Sequence, residues 1–272
     1  MTVTVTSSSS SGQQRRCQRS SSSSSSIGVD PVLDVEALQQ RWTEIAPQMA
    51  DDLSTQGYFT TTNFLDPSMI QRLRDQCVNL RVQDNRFEQS WSEKIVNGKA
   101  VRFDKEGVFA CEPDGRDYDT APDLIVYMSV LLQVLPLSLN QQSPTADLEL
   151  SNAAFNAKLA VTSPGGSVYP LHIDNPEGLT AGDTRKLTYD GGELQIVLSK
   201  DSTIDLTPEG GRLVAFWSDE VPHQVLPTAP NADATESNLD RYALTVWIPT
   251  DNVAAIHNPQ SKFQSLSSIA FS

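Results

Sequence analysis

The feature that most constrains this chain is a change of pattern at Ala154, where helical periodicity gives way to short strands. Before that point apolar residues recur at helical spacing, as they do over Asp34 to Ala46. After it, apolar runs of about five to seven residues alternate with turn residues such as Pro164-Gly165-Gly166. Helices followed by a series of strands predict an α+β fold, a β-sandwich or jelly roll with helices packed on one face.

The pattern before Ala154 predicts three helices and a strand. Asp66 followed by Pro67 is a helix N-cap with proline at the first helical position, so a helix begins there and continues to Leu80. Its apolar stripe includes Cys77, which is therefore interpreted as a core thiol. The other predicted elements are helices at Asp34–Ala46 and Pro122–Leu135, a strand at Tyr58–Phe64, and strands at Phe155–Val161, Val168–Ile173, Glu193–Leu198, Arg212–Trp217 and Arg241–Ile248.

The first 29 residues differ in composition from the rest of the chain. They are rich in serine, carry Arg15, Arg16 and Arg19, and contain no acidic residue. Such a segment cannot bury enough apolar surface to offset chain entropy, so we expect residues 1–29 to be disordered. The same composition is compatible with an organelle transit peptide. We expect a helical part over 30–150, a β-rich core over 151–250 and a tail over 251–272.

Charge and cysteine content exclude several classes of function. The net charge is −14, which argues against general affinity for nucleic acid or an anionic membrane because both need clustered cations. The best apolar run, Leu124–Leu135, is shorter than the roughly 20 residues that a membrane span requires. Three cysteines without a CxxC motif predict neither a disulfide framework nor a zinc ribbon. Reduced thiols favour a cytoplasmic or nuclear location.

Two of the three histidines lie where a metal site needs them. His172 and Asp174 close a predicted strand, and residues two apart on a strand project to the same face. His223 follows the strand at Leu213–Trp217 and a turn. Two imidazoles and one carboxylate leave other positions of a metal open, an arrangement that suits non-haem Fe(II). His257 lies beyond the last predicted strand and is interpreted as a surface residue.

Arg241 opens the last predicted strand. A guanidinium on a strand inside a barrel needs an anion, and a carboxylate that accepts two hydrogen bonds fits it well. A zinc hydrolase on a jelly roll also uses two histidines and a carboxylate. Arg241 and the lack of a helix-borne glutamate as general base make that class a poor fit.

These motifs resemble the prolyl 4-hydroxylase family of 2-oxoglutarate- and Fe(II)-dependent dioxygenases. The resemblance rests on Lys158–Pro176, Gly191–Ile196, Gly211–His223 and Arg241–Trp247. The strings HIDNP, FWSD followed by PH, and RYALTVW are most similar to the oxygen-sensing prolyl hydroxylase domain enzymes. The resemblance implies that the β-rich core over 151–250 is a double-stranded β-helix, the cupin-like jelly roll, with the N-terminal helices packed on it.

The resemblance also implies roles for single residues and a reaction. The implied iron ligands are His172, Asp174 and His223. Arg241 would bind the far carboxylate of 2-oxoglutarate, Thr245 would assist on the same strand face, and Tyr169 would line the site. The implied reaction hydroxylates prolyl residues in a protein or peptide, while O₂ is consumed and 2-oxoglutarate is decarboxylated to succinate. L-ascorbate is the implied reductant.

The sequence departs from the family pattern at one place. After Arg185–Thr188 the family continues through a full apolar strand, whereas here Tyr189-Asp190 leads directly into Gly191. One inner strand is therefore missing from its usual position, and its loss would leave unpaired backbone edges and an opened pocket. Two outcomes stay open. Either another segment fills the gap, or the chain is a catalytically impaired or non-catalytic jelly-roll binding module.

Overall fold

The computed structural model describes residues 2–7, 31–96, 99–162, 169–173, 194–199, 201–226, 240–250 and 252. The described helices are α1 (Val35–Thr55), α2 (Pro67–Val82) and α3 (Pro122–Asn140). The first strands are β1 (Thr2–Ser7), β2 (Tyr58–Thr61), β3 (Glu88–Val96), β4 (Lys99–Cys111) and β5 (Asn156–Thr162). The others are β6 (Tyr169–His172), β7 (Leu194–Ser199), β8 (Ser202–Leu206), β9 (Arg212–Phe216), β10 (His223–Val225) and β11 (Arg241–Trp247).

The strands form two antiparallel sheets that pack face to face. The larger sheet has the order β2-β9-β1-β11-β5-β4-β3, and the smaller has the order β6-β10-β7-β8. One apolar cluster joins the three helices to one face of the larger sheet. A second cluster fills the space between the two sheets. The predicted α+β jelly roll, with helices on one side, is confirmed.

Strand alternation assigns the residues of β11 to these two clusters. Tyr242, Leu244 and Val246 belong to the cluster under the helices. Ala243 and Trp247 belong to the cluster between the sheets. Successive side chains of a strand point to opposite faces, so β11 serves both cores at once. We call the face toward the smaller sheet the inner face.

Helix α2 forms as the sequence predicts. The Asp66 carboxylate accepts hydrogen bonds from the backbone N–H groups of Ser68 and Met69, each at 3.0 Å, and Pro67 occupies the first turn. Cys77 is buried in the core under the helices, as predicted. Its burial raises the pKa of the thiol to about 12, which makes it a poor nucleophile at neutral pH.

Two helices extend beyond their predicted ends. Helix α1 continues through Pro47 to Thr55, and α3 continues through Pro136 to Asn140. Proline removes a helical hydrogen bond, so Pro136 by itself predicts a helix boundary. In α3, Leu135 and Pro136 are buried, as are Ser138 and Leu139 in the next turn, and this packing outweighs that loss. By length and composition α3 also matches a membrane span, but 67 % of its most apolar stretch is buried within the protein.

Three strands were not predicted. β8 follows β7 in a hairpin, and β10 consists of three residues that begin with His223. Separately from these three, β3 and β4 pair with each other over Glu88–Cys111, where the mixed sequence pattern is compatible with short strands. The third unpredicted strand is β1, whose residues Thr2–Ser7 were expected to be disordered. That expectation is wrong for β1, whereas residues 8–30 and most of the predicted tail at 251–272 lie outside the described residues.

Strand β1 occupies an inner position in the larger sheet. It pairs with β11 from Thr2 opposite Trp247 to Ser7 opposite Tyr242. It also pairs with β9, where Thr2 lies opposite Phe216. Alternating threonine and valine suit a strand because both residues are β-branched. Of the two outcomes left open by the missing strand, this arrangement agrees with the first, in which a segment from elsewhere in the chain enters the sheet.

Candidate active site

His223 is the best defined member of the predicted metal site. It is fully buried at the start of β10, and its Nδ1 lies 2.8 Å from the carbonyl oxygen of Val221. A carbonyl oxygen only accepts hydrogen bonds, so Nδ1 carries the proton and donates it there. Nε2 then carries the lone pair that a metal requires. The ring of Phe216 packs against the imidazole with 4.8 Å between ring centroids.

The second histidine lies beside the first. His172 is the last residue of β6 and is the register partner of His223 across the β6–β10 pair. Directly opposed residues on antiparallel strands share a face, with Cβ atoms about 4.5–5.5 Å apart. The side chain of His172 and all of Asp174 lie outside the described residues. The backbone thus brings two of the three predicted ligands together, and the place of Asp174 stays a prediction.

Arg241 and Thr245 both lie on the inner face of β11. They alternate with the helix-side residues of this strand, and they are 5 % and 1 % exposed. The smaller sheet, which carries His223, packs against this face through Val225. Arg241 and Thr245 therefore lie between the sheets, and their role in holding a cosubstrate stays a prediction. Of Tyr169 only the backbone, in β6, is described.

Sequence reasoning missed two polar residues of the same face. Lys158 and Thr162 on β5 are buried and lie opposite Thr245 and Arg241 in the β5–β11 register. Their neighbours Ala157, Leu159 and Val161 all belong to the core under the helices. The signal in the sequence is this alternation, in which Lys158 and Thr162 interrupt an otherwise apolar run at every fourth residue. Lys158 and Arg241 place two cationic side chains on this face, which therefore suits an anionic ligand.

Helix α2 holds the start of β11 in place. Arg81 forms an ion pair with Asp240, the residue that precedes Arg241. About two helical turns earlier in α2, the guanidinium of Arg74 lies 5.5 Å from the ring centroid of Tyr242. Burial raises the pKa of Tyr242, and this outweighs the opposing effect of Arg81. These two contacts hold the residues on either side of Arg241, and so they restrain the backbone at the start of β11.

Comparison with known proteins agrees with this geometry. Residues 157–249 match the family described as the 2OG-Fe(II) oxygenase superfamily. The match runs from β5 to just past β11 and so includes every strand that carries the site. The matched residues are about a third of the chain, and in this part the chain is similar to the 2OG-Fe(II) oxygenase superfamily.

The chain is also similar to two curated proteins, a prolyl hydroxylase and an Egl nine homolog. It is 27 % identical over 144 residues to the hypoxia-inducible factor prolyl hydroxylase of Caenorhabditis elegans, covering 49 % of this chain and 18 % of that protein. It is 29 % identical over 174 residues to Egl nine homolog 1 of Rattus norvegicus, covering 59 % of this chain and 44 % of that protein. The chain thus spans less than half the length of these relatives.

Among solved structures, the chain is similar to a prolyl hydroxylase of Trichoplax adhaerens in complex with a peptide fragment from the oxygen degradation domain of hypoxia-inducible factor. The TM-score is 0.58 at 21 % sequence identity, and the likeness covers 84 % of this chain and 98 % of that one. At 21 % identity, this likeness is evidence for the fold alone. It agrees with the jelly roll described above.

Proposed function

We propose that this chain is a 2-oxoglutarate- and Fe(II)-dependent dioxygenase that hydroxylates prolyl residues in a protein or peptide. The observation that carries the proposal is the register of His223 with His172, in the sheet that packs against the inner face of β11. That face buries Arg241 and Thr245. A metal-binding pair and an anion-binding face thus adjoin one space between the sheets.

The donor set fits a ferrous ion. Imidazole nitrogens suit iron, and the Val221 carbonyl fixes His223 in the tautomer that offers Nε2. His172, Asp174 and His223 would hold the ion. Bound Fe(II) and 2-oxoglutarate supply the oxidising chemistry, in which O₂ is consumed, succinate and CO₂ form, and one oxygen atom enters the substrate.

The inner face would hold the cosubstrate. The Arg241 guanidinium would donate two hydrogen bonds to the far carboxylate of 2-oxoglutarate, and the Thr245 hydroxyl would donate one more. Tyr169 would line the same space. Because this face is buried, the charge interactions act in a medium of low dielectric constant and hold the cosubstrate in one orientation.

A prolyl substrate is supported by the relative from Caenorhabditis elegans, which is named a hypoxia-inducible factor prolyl hydroxylase. The net charge of −14 suits a neutral or basic peptide over an acidic one. L-ascorbate is proposed as the reductant that restores oxidised iron, and a cytoplasmic or nuclear location is proposed from the reduced cysteines. A role in oxygen sensing is proposed from the same resemblance.

The alternative of a catalytically impaired or non-catalytic binding module rested on the missing inner strand. β1 lies at an inner position of the larger sheet, between β9 and β11. This inner strand supports the dioxygenase over the binding module, because the sheet is continuous from β9 through β1 to β11.

The test is succinate formation from 2-oxoglutarate with Fe(II), O₂, ascorbate and a set of prolyl peptides, read together with the peptide mass. We expect succinate to form in step with the gain of one oxygen atom on proline. An Asp174→Ala variant should abolish both. Succinate formation equal to that of Asp174→Ala would contradict the dioxygenase. Turnover of 2-oxoglutarate without oxidation of any prolyl peptide would contradict only the substrate class.

A further inference from the structure

We propose that Thr2–Ser7 act as a docking strand, and that its insertion between β9 and β11 is a conformational step on which the architecture of the site depends. The proposal concerns the assembly of the fold and goes beyond the proposed reaction. It commits to one occupant of the slot between β9 and β11, namely the N-terminal strand of the same chain.

The topology makes β1 a bridge between two strands that do not otherwise meet. β1 is antiparallel to β9 and to β11, so β9 and β11 run in the same direction on either side of it. Neighbouring strands lie about 4.8 Å apart, which places β9 and β11 two spacings apart, at about 10 Å. Without β1, each strand would expose a row of backbone N–H and C=O groups inside the sheet.

Both strands that flank β1 carry residues of the candidate site. β11 bears Arg241 and Thr245, and Thr4 is the register partner of Thr245. β9 ends at Phe216, whose ring packs on His223. The docking strand therefore holds the anion-binding strand at a fixed distance from the strand that supports the metal-binding histidine.

The docking strand is remote in sequence from both of its neighbours. Residues 8–34 separate it from α1, and β9 and β11 follow much later in the chain. Insertion thus closes long loops and orders a short segment, both of which oppose docking through entropy. Main-chain hydrogen bonds on two edges favour it, as they do when an extended peptide adds to a sheet. Docking is therefore a step distinct from folding of the helical core.

The first experiment deletes Thr2–Ser7 from the full chain and measures amide hydrogen exchange. The matched control deletes the six serines Ser21–Ser26, which shortens the same segment and keeps β1. We expect exchange in β9 and β11 to accelerate at least tenfold in the first deletion only, with α3 unchanged. Equal exchange in the two deletions would overturn the proposal.

If the variant that lacks Thr2–Ser7 does not fold, a second pair of variants tests whether β1 docks. Val5→Pro removes one ladder hydrogen bond inside β1 without shortening the chain, and Ser22→Pro is its control. We expect a lower melting temperature and faster exchange in β9 and β11 for Val5→Pro alone. Identical melting temperatures for the two variants would contradict a docked strand.

The third experiment supplies the strand in trans. A synthetic peptide with the sequence Thr2–Ser7 should restore slow exchange in β9 and β11 of the deleted chain, and the same peptide with Val5→Pro should not. Restoration by both peptides or by neither would overturn the proposal. Light scattering of the intact chain completes the test. A monomer supports docking within one chain, and a dimer that dissociates when Thr2–Ser7 are deleted would overturn it in favour of exchange between copies.

Discussion

The two faces of the larger sheet differ in chemistry although the same strands form both: one face is apolar, and the other buries polar and charged residues. On the helix side, β5 and β11 contribute apolar residues such as Leu159 and Leu244 to one continuous core. On the inner side the same two strands bury Lys158, Arg241 and Thr245. Burial of apolar surface stabilises a fold, whereas burial of charge costs free energy unless an anion compensates it. Alternate residues of one strand therefore serve different purposes: those on the helix side stabilise the fold, and those on the inner side are available to bind a ligand.

The largest expected effect is a loss of stability from a substitution in the helical layer, which should leave the inner face unchanged. Asp123 at the start of α3 is fully buried and accepts hydrogen bonds from Arg72, Gln76 and the backbone N–H groups of Val32 and Leu33. Asp123→Ala leaves these donors without their acceptor and should cost about 3–5 kcal/mol in urea unfolding.

The control for this prediction is Asp119→Ala, an exposed change a few residues earlier, which should stay within about 0.5 kcal/mol of the unmodified chain. Mn(II) binding by the folded fraction of Asp123→Ala should be unchanged. A loss of stability as small as that of the control would show that this hydrogen-bond cluster does not hold the helical layer.

Leu244→Ala should sharpen the comparison along β11 itself. Leu244 lies in the core under the helices, between residues of the inner face. Its truncation should cost about 2–5 kcal/mol of stability, because a buried leucine leaves a cavity. The affinity of the folded protein for 2-oxoglutarate, measured by calorimetry below the melting range, should not change. An altered affinity would mean that the two faces are coupled.

The pH dependence of stability tests the contribution of the Asp123 carboxylate without removing side-chain volume, as the substitution by alanine does. Burial raises the pKa of Asp123, but its hydrogen bonds to Arg72 and to the amides of Val32 and Leu33 outweigh burial, and the pKa lies below its usual value. A lowered folded pKa means that Asp123 stabilises the fold above its unfolded pKa of about 3.9 and loses this contribution as the pH falls further. The stability difference between the unmodified chain and Asp123→Asn should therefore shrink below about pH 4. A constant difference down to pH 2 would contradict this account.

Phe216→Leu and Phe59→Leu place the same change on opposite faces. Phe216 packs on His223, and Phe59 lies in the core under the helices. Each should cost about 1 kcal/mol of stability, because the substitution keeps most of the volume. Only Phe216→Leu should weaken Mn(II) binding, by about tenfold, because it releases the support of a metal-binding imidazole. Equal Mn(II) affinities in calorimetry would show that the ring does not position His223.

The smallest expected effect is at the start of β11. Arg81→Gln breaks the ion pair with Asp240, whose two side chains are mostly buried. It should cost up to about 1 kcal/mol, measured as thermal stability. Arg116→Gln breaks an exposed pair with Asp114 and should have less effect. A larger loss in Arg116→Gln would contradict a supporting role for the Arg81 pair.

The sequence predicted those parts of the fold whose signals are local. The Asp66-Pro67 start of α2 and the strand at Arg241 are set by capping and alternation within a few residues. Pro136 misled because tertiary packing outweighs a local helix signal in α3. β10 has only three residues, too few for a periodic pattern.

Strand β1 could not be predicted because its pairing is entirely non-local. Its partners lie more than 200 residues away in sequence, and its neighbours in sequence are serines. The order of motifs along the chain predicts His223 and Arg241 as site residues, and this order is visible in the sequence without a structure. Lys158 was missed because its role on the inner face depends on the register with Thr245.

The most direct test of the central claim is a calorimetric titration of 2-oxoglutarate into the chain with and without Mn(II). The inner-face account predicts one saturable site that requires Mn(II) and is weakened about a hundredfold or more by Arg241→Met in the folded protein. Binding of 2-oxoglutarate that is the same without Mn(II), or the same in Arg241→Met, would contradict it.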